Sequence, residues 1–259
     1  MRGNTLIELD GVGKTFNTQQ GRSHTALQDI ALSIPAGRFV SILGPSGCGK
    51  STLLYMLGGF ESCSSGQIRV KGKPITGPGP DRGPVFQEYA LFPWKTVLGN
   101  VAYGMREQGM PKAQAEQRAS EWLDKVKLGP YASFYPRELS GGMRQRAAIA
   151  RTLAYEPDIL LMDEPFGALD AHTRVTLQTE LLSLWEQLRN TAVFVQHGGD
   201  EAVVLSDTVI VMTGSPGRIK EVVEIDLPRP RIRSELLRNP VYQETIIRLE
   251  QSLMAEAHP

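Results

Sequence analysis

The sequence predicts an α/β fold, a mainly parallel sheet with helices on its faces and a helical subdomain inserted into it. Three observations lead there. A glycine-rich loop, Gly44-Pro45-Ser46-Gly47-Cys48-Gly49-Lys50-Ser51, stands between a short apolar run and a helical pattern. From Thr96 to Ala154 helical patterns follow one another. From Asp158 to Met212 short apolar runs alternate with a helical pattern again, as parallel strands joined by crossover helices do.

In chain order, Thr5–Leu9 and Ala26–Ile34 read as strands with partial alternation. Arg38–Leu43 is an apolar run bounded by Pro35-Ala36-Gly37 and Gly44-Pro45, so a buried strand. Lys50–Leu57 starts a helix, and Val85-Phe86 belong to a short strand. Helices are expected over Val97–Met105, Lys112–Val126 and Gly141–Leu153, with Pro111 at a helix start and Gly129-Pro130 as a breaker. Asp158–Met162, Ala192–Val195 and Thr208–Met212 read as strands, and Ala171–Leu188 as a helix. Pro228-Arg229-Pro230 marks a boundary, and Leu236–Ala257 reads as one or two terminal helices. The organisation expected is therefore a catalytic domain over residues 1–228, its helical subdomain about 96–157, and a helical tail over 229–259.

The 28 basic residues balance 28 acidic ones, which argues against nucleic acid as the main partner. Hydrophobic residues make up 41% and charged residues 22%, as in a soluble globular protein. Of the two cysteines, Cys48 lies inside the glycine-rich loop, where a disulfide would block a ligand, so a reduced, cytoplasmic setting is expected. The start, Met1-Arg2-Gly3-Asn4-Thr5-Leu6-Ile7-Glu8, has no apolar signal region. No run approaches the roughly 20 apolar residues of a spanning helix.

Gly44–Ser51 fits G-x-x-x-x-G-K-[ST] between a strand and a helix, the context a phosphate-binding loop requires. Its glycines let backbone N–H groups curl around phosphate oxygens, and the helix N-terminus adds positive potential. Lys50 is expected to reach the β- and γ-phosphates, and the Ser51 hydroxyl, with Thr52 beside it, to meet Mg²⁺. Gly11-Val12-Gly13-Lys14-Thr15 also ends in Gly-Lys-Thr, but Glu8 stands where the pattern needs glycine, and a strand-end turn is expected there. Phe16 suits either stacking on adenine or a place in the core. Cys48, among phosphate-binding amides at a helix start, reads as a small space-filler; a lowered thiol pKa is the competing expectation, and alkylation is expected to block the ligand.

Asp163 and Glu164 end an apolar strand, and in a parallel sheet strand ends face the ligand crevice. Asp163 suits the Mg²⁺ shell, and Glu164 suits orienting or deprotonating water. His197 follows the next strand and suits a bond to the γ-phosphate. Gln87, after Val85-Phe86, suits Mg²⁺ or the water through its amide.

Gly44–Ser51, Gln87, Leu139-Ser140-Gly141-Gly142, Leu160–Glu164, Gly167–Asp170 and His197 stand in the order seen in ABC transporter ATPases, and over residues 5 to 228 the chain resembles that family. The resemblance implies a P-loop NTPase with a RecA-like core and an N-terminal antiparallel β portion. It makes Phe16 the adenine-stacking aromatic, and Leu139-Ser140-Gly141-Gly142-Met143 the signature that meets the ATP of a partner subunit. Ala168, Leu169 and Asp170 become the D-loop at the dimer contact. ATP and Mg²⁺ are the implied ligands. The resemblance further implies that two copies enclose two ATP molecules head to tail, and a helix start carrying Ser140, which forms an anion site, agrees with it. That helix also carries Arg144, Arg146 and Arg151.

The segments Gly77–Gly83, Leu91–Trp94, Glu164–Asp170 and Ser215–Arg218 resemble importers of the nitrate, sulfonate and taurine group. This implies uptake of a small anion, with taurine or another aliphatic sulfonate first and nitrate, bicarbonate or a thiamine precursor as alternatives. It implies membrane-spanning permease subunits, a periplasmic or lipid-anchored solute-binding protein, and a peripheral place on the cytoplasmic face of a bacterial inner membrane. Tyr89, Leu91, Phe92, Trp94 and Val97 are the expected surface for a permease helix, with subdomain core as the competing reading. A soluble ABC ATPase acting on nucleic acid or ribosomes is the alternative class; the single cassette, neutral charge and lack of heptads speak against it. A scaffold with a decayed site is a third, opposed by Lys50, Asp163, Glu164 and His197. The sequence departs from the family pattern at Met143, Pro84, Gly99, Gln196 and Gly198-Gly199, and the two glycines are expected to loosen the turn around His197.

Overall fold

The computed structural model describes residues 5–17 and 22–257. The readings made on Met1-Arg2-Gly3-Asn4 and on the last residues, His258-Pro259, lie outside them. The chain forms two compact units, one from residues up to Gly79 and from Thr191 onward, the other Pro80–Asn190.

The first unit holds an antiparallel sheet in the order β2-β1-β4-β5, from β1 (Thr5–Asn17), β2 (Ser23–Pro35), β4 (Ser65–Val70) and β5 (Lys73–Pro74). Ile7 pairs with Ile34 and Val12 with Ile30, all four buried, so one face of the hairpin is apolar. The expected turn at Gly11–Thr15 is absent. Strand β1 runs through it, and register shifts at Leu9/Val12, Val12/Lys14 and Lys14/Thr15 absorb the glycines as bulges.

The same unit holds β3 (Phe39–Leu43) between β8 (Thr191–Val195) and β9 (Thr208–Met212), all parallel, with β10 (Ile219–Glu224) antiparallel on β9. Every residue of β3, β8 and β9 is buried, as expected of strands covered on both faces. Their C-terminal ends share one edge, from which α1 (Lys50–Gly58) and α6 (Gly199–Leu205) follow. The tail forms α7 (Arg233–Leu236) and α8 (Pro240–Ala257). Leu236, Tyr242 and Leu249 join Val203, Val209 and Val211 in one core. Pro228-Arg229-Pro230 is anchored: Arg229 pairs with Asp207 at 2.8 Å, and buried Arg231 donates to the carbonyls of Val203 and Ser206 at 2.8 and 2.5 Å.

The second unit pairs β6 (Arg82–Val85) with β7 (Ile159–Asp163) in parallel and adds α2 (Val97–Glu107), α3 (Lys112–Lys125), α4 (Gly141–Leu153) and α5 (Ala171–Leu188). Pro84 lies in β6, and its carbonyl accepts from the Thr152 hydroxyl at 3.0 Å. An edge strand tolerates its missing N–H. Gly99 stands where a capping-box acid would fit, yet the cap holds, because Gly99 N–H donates to Thr96 Oγ1 at 3.1 Å. Among the described residues no helix is long and apolar enough to cross a membrane.

Candidate active site

The phosphate loop closes between β3 and α1. Gly47 has φ +79° and Gly49 φ +96°, the left-handed region that favours glycine. Cys48 N–H donates to the Pro45 carbonyl at 3.3 Å, which sets the tight turn. Ser46 and Gly47 form the exposed rim, while Pro45, Ser51 and Thr52 are half-buried. Helix α1 begins at left-handed Gly49 with no side-chain cap and no acid in its first turn, so no carboxylate of that turn opposes an anion at its positive end. Lys50 is buried and its ammonium donates to the Gly44 and Pro45 carbonyls at 2.8 and 3.0 Å, curling back over the loop. Burial pushes the Cys48 thiol up, and nearby Lys50 opposes this only in part. Its Sγ lies 2.7 Å from where a Cβ on Gly44 would stand. Cys48 is therefore the space-filler, and the lowered-pKa expectation fails through desolvation.

Lys14, in the decoy, is spent on structure. Its ammonium donates to the Ser62 carbonyl at 2.8 Å and pairs with Glu61 at 2.6 Å. Phe16, two residues on, is exposed, with the Lys14 ammonium 5.0 Å from its ring centroid. That excludes the core placement for Phe16.

In the second unit, β6 and β7 run parallel, so Gln87 just past one and Asp163-Glu164 at the end of the other reach the same edge. Asp163 is buried. Glu164 turns the chain off the strand at φ +43°, an uncommon conformation for a non-glycine residue and one often found at functional sites. The Gly167 amide closes the turn on the Glu164 carbonyl at 3.0 Å. The point a Cβ on Gly167 would occupy lies 3.4 Å from Gln87 Nε2 and 3.8 Å from Glu164 Oε2, so Gln87 and Glu164 flank one small space. Leu169 is buried, Ala168 is exposed, and Asp170 caps α5 by accepting the Thr173 N–H at 3.0 Å. That bond, with the Thr173 hydroxyl second, holds the Asp170 carboxyl below the usual range.

Ser140 caps α4, accepting the Met143 N–H at 3.3 Å, so one of the helix's leading amides is used by the cap. Leu139 is buried, Ser140 exposed, and Gly141, Gly142 and Met143 half-buried. A Cβ on Gly141 would stand 3.4 Å from the Tyr89 hydroxyl and 3.6 Å from Leu169 Cδ2. The three arginines of α4 are used internally rather than held for an anion. Arg144 donates to the Leu139 carbonyl at 2.8 Å and stacks on Tyr89, 5.5 Å from the ring centroid. Arg146 forks onto Glu180. Arg151 donates to the Ala90 and Tyr89 carbonyls at 2.5 and 3.3 Å. Tyr89 and Ala90 both have positive φ, so this segment is shaped by partners far along the chain, which a pattern search does not detect.

His197 is exposed at the C-terminal end of β8, the strand edge it shares with the phosphate loop after β3. Gly198 caps α6 at φ −92°, and Gly199 is buried in its first turn, 3.6 Å from the Leu249 Cβ at its own Cβ position. Gln196 is buried, and its amide donates to the Ser41 hydroxyl at 2.6 Å. Val97 is core, whereas Trp94 is 71% exposed beside Phe92, whose ring also meets Tyr103 edge-on at 4.6 Å. Phe92 and Tyr103 line a groove of about 550 Å³ together with Pro84, Gly104, Thr152 and Tyr155.

The residues present fit their implied ligands. An uncapped, acid-free helix start behind a left-handed glycine loop suits phosphate. Asp163, at the end of β7, offers a hard oxygen donor of the kind Mg²⁺ prefers. Among the described residues no cluster of three or more His, Cys, Asp or Glu could hold a metal.

Residues 27–167, more than half of the chain, match the ABC transporter family. An uncharacterized ABC transporter ATP-binding protein of Methanocaldococcus jannaschii is 48% identical over 230 residues, 89% of this chain and 86% of that protein. In Synechococcus elongatus the bicarbonate transport ATP-binding protein CmpC is 46% identical over 240 residues and the nitrate import ATP-binding protein NrtC 45% over 242. Each comparison spans 92% of this chain but only 36% and 37% of those longer proteins. A solved dimeric ATP-binding cassette, in a post-hydrolysis state bound to ADP and Pi, matches with TM-score 0.75 and 31% identity over 86% of this chain and 100% of its own. A second dimeric bacterial ABC transporter cassette gives 0.76 and 32%. With a phosphate loop shaped for nucleotide and relatives of this kind, the chain belongs to the ABC transporter family as an importer-type ATPase, coupling ATP hydrolysis to transport.

Proposed function

We propose that this ATPase drives uptake of a small oxyanion through a permease, working as a pair of identical cassettes. The observation that carries the catalytic part is the placing of Gln87 and Glu164 around Gly167, at the ends of two parallel strands. The loop amides of Gly44–Ser51 and the Lys50 ammonium bind the phosphates, with Thr52 beside them, and Phe16 stacks on the adenine. Glu164 orients the attacking water and accepts its proton. Gln87 holds that water through its amide, and His197 donates to the γ-phosphate. Ser51, Asp163 and Gln87 would hold Mg²⁺, which when bound neutralises phosphate charge. Leu139–Met143 of one copy face the ATP of the other, and Ala168, Leu169 and Asp170 line the contact between copies. Trp94, Phe92 and the groove beside them receive a permease helix at the cytoplasmic face of the membrane, and a separate binding protein delivers the solute. The bicarbonate and nitrate relatives support a small oxyanion in general. Taurine or another aliphatic sulfonate stays within that class on the sequence resemblance.

The test is uptake of labelled taurine, nitrate and bicarbonate by the assembled transporter. One of these solutes accumulates with the wild type. Glu164→Gln lowers both hydrolysis and uptake by about 10²–10⁴-fold, the range for loss of a general base, while ATP binding persists. ATP hydrolysis unchanged in E164Q refutes the catalytic assignment, and uptake of none of the three refutes the oxyanion class.

A further inference from the structure

The far end of the tail helix is tied to the floor of the phosphate loop. Glu256, in the last turn of α8, accepts the Gly214 N–H at 3.1 Å and pairs with Lys220 at 2.8 Å. Lys220 also donates to the Ser252 carbonyl at 2.9 Å, so α8 is held at this end by two links. Gly214 belongs to the loop that leaves β9. Thr213 closes that loop on itself, since its N–H donates to the Arg218 carbonyl at 2.9 Å and its hydroxyl takes the Arg218 N–H at 3.0 Å. Two hydrogen bonds therefore close the segment Thr213–Arg218.

Its next contact is the phosphate loop. Gly217 N–H donates to the Ala26 carbonyl at 2.9 Å, and Gln28 N–H donates back to the Gly217 carbonyl at 2.9 Å. A Cβ on Gly217 would collide with the Cys48 carbonyl and stand 2.9 Å from Met212 Cε. A Cβ on Gly49 would stand 2.9 Å from the Ala26 carbonyl and 2.7 Å from Leu27 Cδ2. Cys48 and Gly49, whose amides belong to the phosphate cradle, thus rest on a floor made by Ala26–Leu27 and Gly217. The closed loop that Glu256 grips joins this floor to α8.

We propose that Glu256 is a positioning residue for ATP, setting the phosphate-loop amides through Gly214 and Gly217, so that docking of α8 and binding of ATP strengthen each other. This rests on the reading of Gly44–Ser51 as the phosphate site. The carboxyl of Glu256 is held below the usual range by Lys220 first and the Gly214 amide second, the same contact that the role uses.

Two variants of the full chain test it, with ATP binding and melting measured together. Glu256→Ala weakens ATP binding by about fivefold or more, the lower end of coupling between linked sites. In the assembled transporter KM for ATP rises while kcat holds. Glu256→Gln keeps an oxygen for the Gly214 N–H and restores wild-type binding. Because coupling is reciprocal, ATP slows hydrogen exchange along α8 in the wild type, and this slowing is lost in E256A. Unchanged ATP affinity in E256A, even with a lower Tm, overturns the proposal by making Glu256 a packing contact only. E256Q as weak as E256A overturns it as well, and so does α8 exchange indifferent to ATP. A wild-type chain that binds no ATP refutes instead the reading of the phosphate loop.

Discussion

Gly142→Ala puts two opposed effects in one place. Gly142 is the second residue of α4, where alanine favours helix by up to about 1 kcal/mol over glycine. The added methyl would stand 2.9 Å from Thr173 Cγ2. Carbon atoms pack best at roughly 3.5–4.0 Å, so the pair is more than half an ångström too close. Thr173 cannot easily give way, because its own N–H is held by Asp170 Oδ1 at 3.0 Å at the start of α5. Overpacking of this kind costs about 1–3 kcal/mol. The clash outweighs the helix gain, and G142A should lose about 1–2 kcal/mol in urea unfolding of the isolated chain. Thr173→Ser removes Cγ2 and keeps the hydroxyl. In the T173S background the same G142A change should be neutral or stabilising by up to about 1 kcal/mol, a coupling of roughly 1–3 kcal/mol. The double variant then separates fold from function. If it is stable yet hydrolyses ATP poorly in the assembled transporter, Gly142 is needed for close approach to phosphate. G142A costing as much in the T173S background as in the wild type would refute the packing argument.

Three further outcomes are expected. Trp94→Ala should leave melting and ATP binding of the isolated chain unchanged, since the ring is 71% exposed, while co-purification with the permease falls; undiminished assembly and uptake would remove Trp94 from the interface. The depressed Asp170 carboxyl stabilises the fold at pH above the ordinary aspartate range, and that contribution is lost as pH falls through its lower folded value. Asp170→Asn, which caps comparably, should flatten the acid limb of a stability–pH curve with little change at pH 7. Iodoacetamide followed by mass spectrometry at pH 7 should find half-buried Cys63 modified well before buried Cys48, because burial raises both thiols and also hides Cys48 from the reagent.

Features set by local chemistry were legible in the sequence, and features set by distant partners were not. The left-handed turns at Gly47 and Gly49 follow from the residues themselves, and β3, α4 and α5 appear where apolar period and caps place them. Strand β4 and edge strand β10 were missed, because half-exposed strands carrying Gly66, or Lys220, Glu221 and Glu224, lack a clean alternation. Helix α6 was missed because it opens on glycine, a poor helix former; Asp200 and Glu201 in its first turn and the core contacts of Ala202 and Val203 compensate. Gly13-Lys14-Thr15 matches only the end of the phosphate-loop pattern, and Glu61 and Ser62, far along the chain, reveal what Lys14 is used for. The grip of Arg151 on Ala90 likewise spans 61 residues of sequence.

That grip has a mechanical consequence. Arg144 clasps the Tyr89 ring and Arg151 holds the Tyr89 and Ala90 carbonyls, so a short stretch of irregular chain is fastened at both ends of one stiff rod. A push on Tyr89–Ala90 cannot be absorbed by local bending unless these arginines let go. While they hold, α4 connects Tyr89–Ala90 to Ser140, and Tyr89 stands two residues from Gln87. The stiffness of this joint rests on two guanidinium groups, those of Arg144 and Arg151.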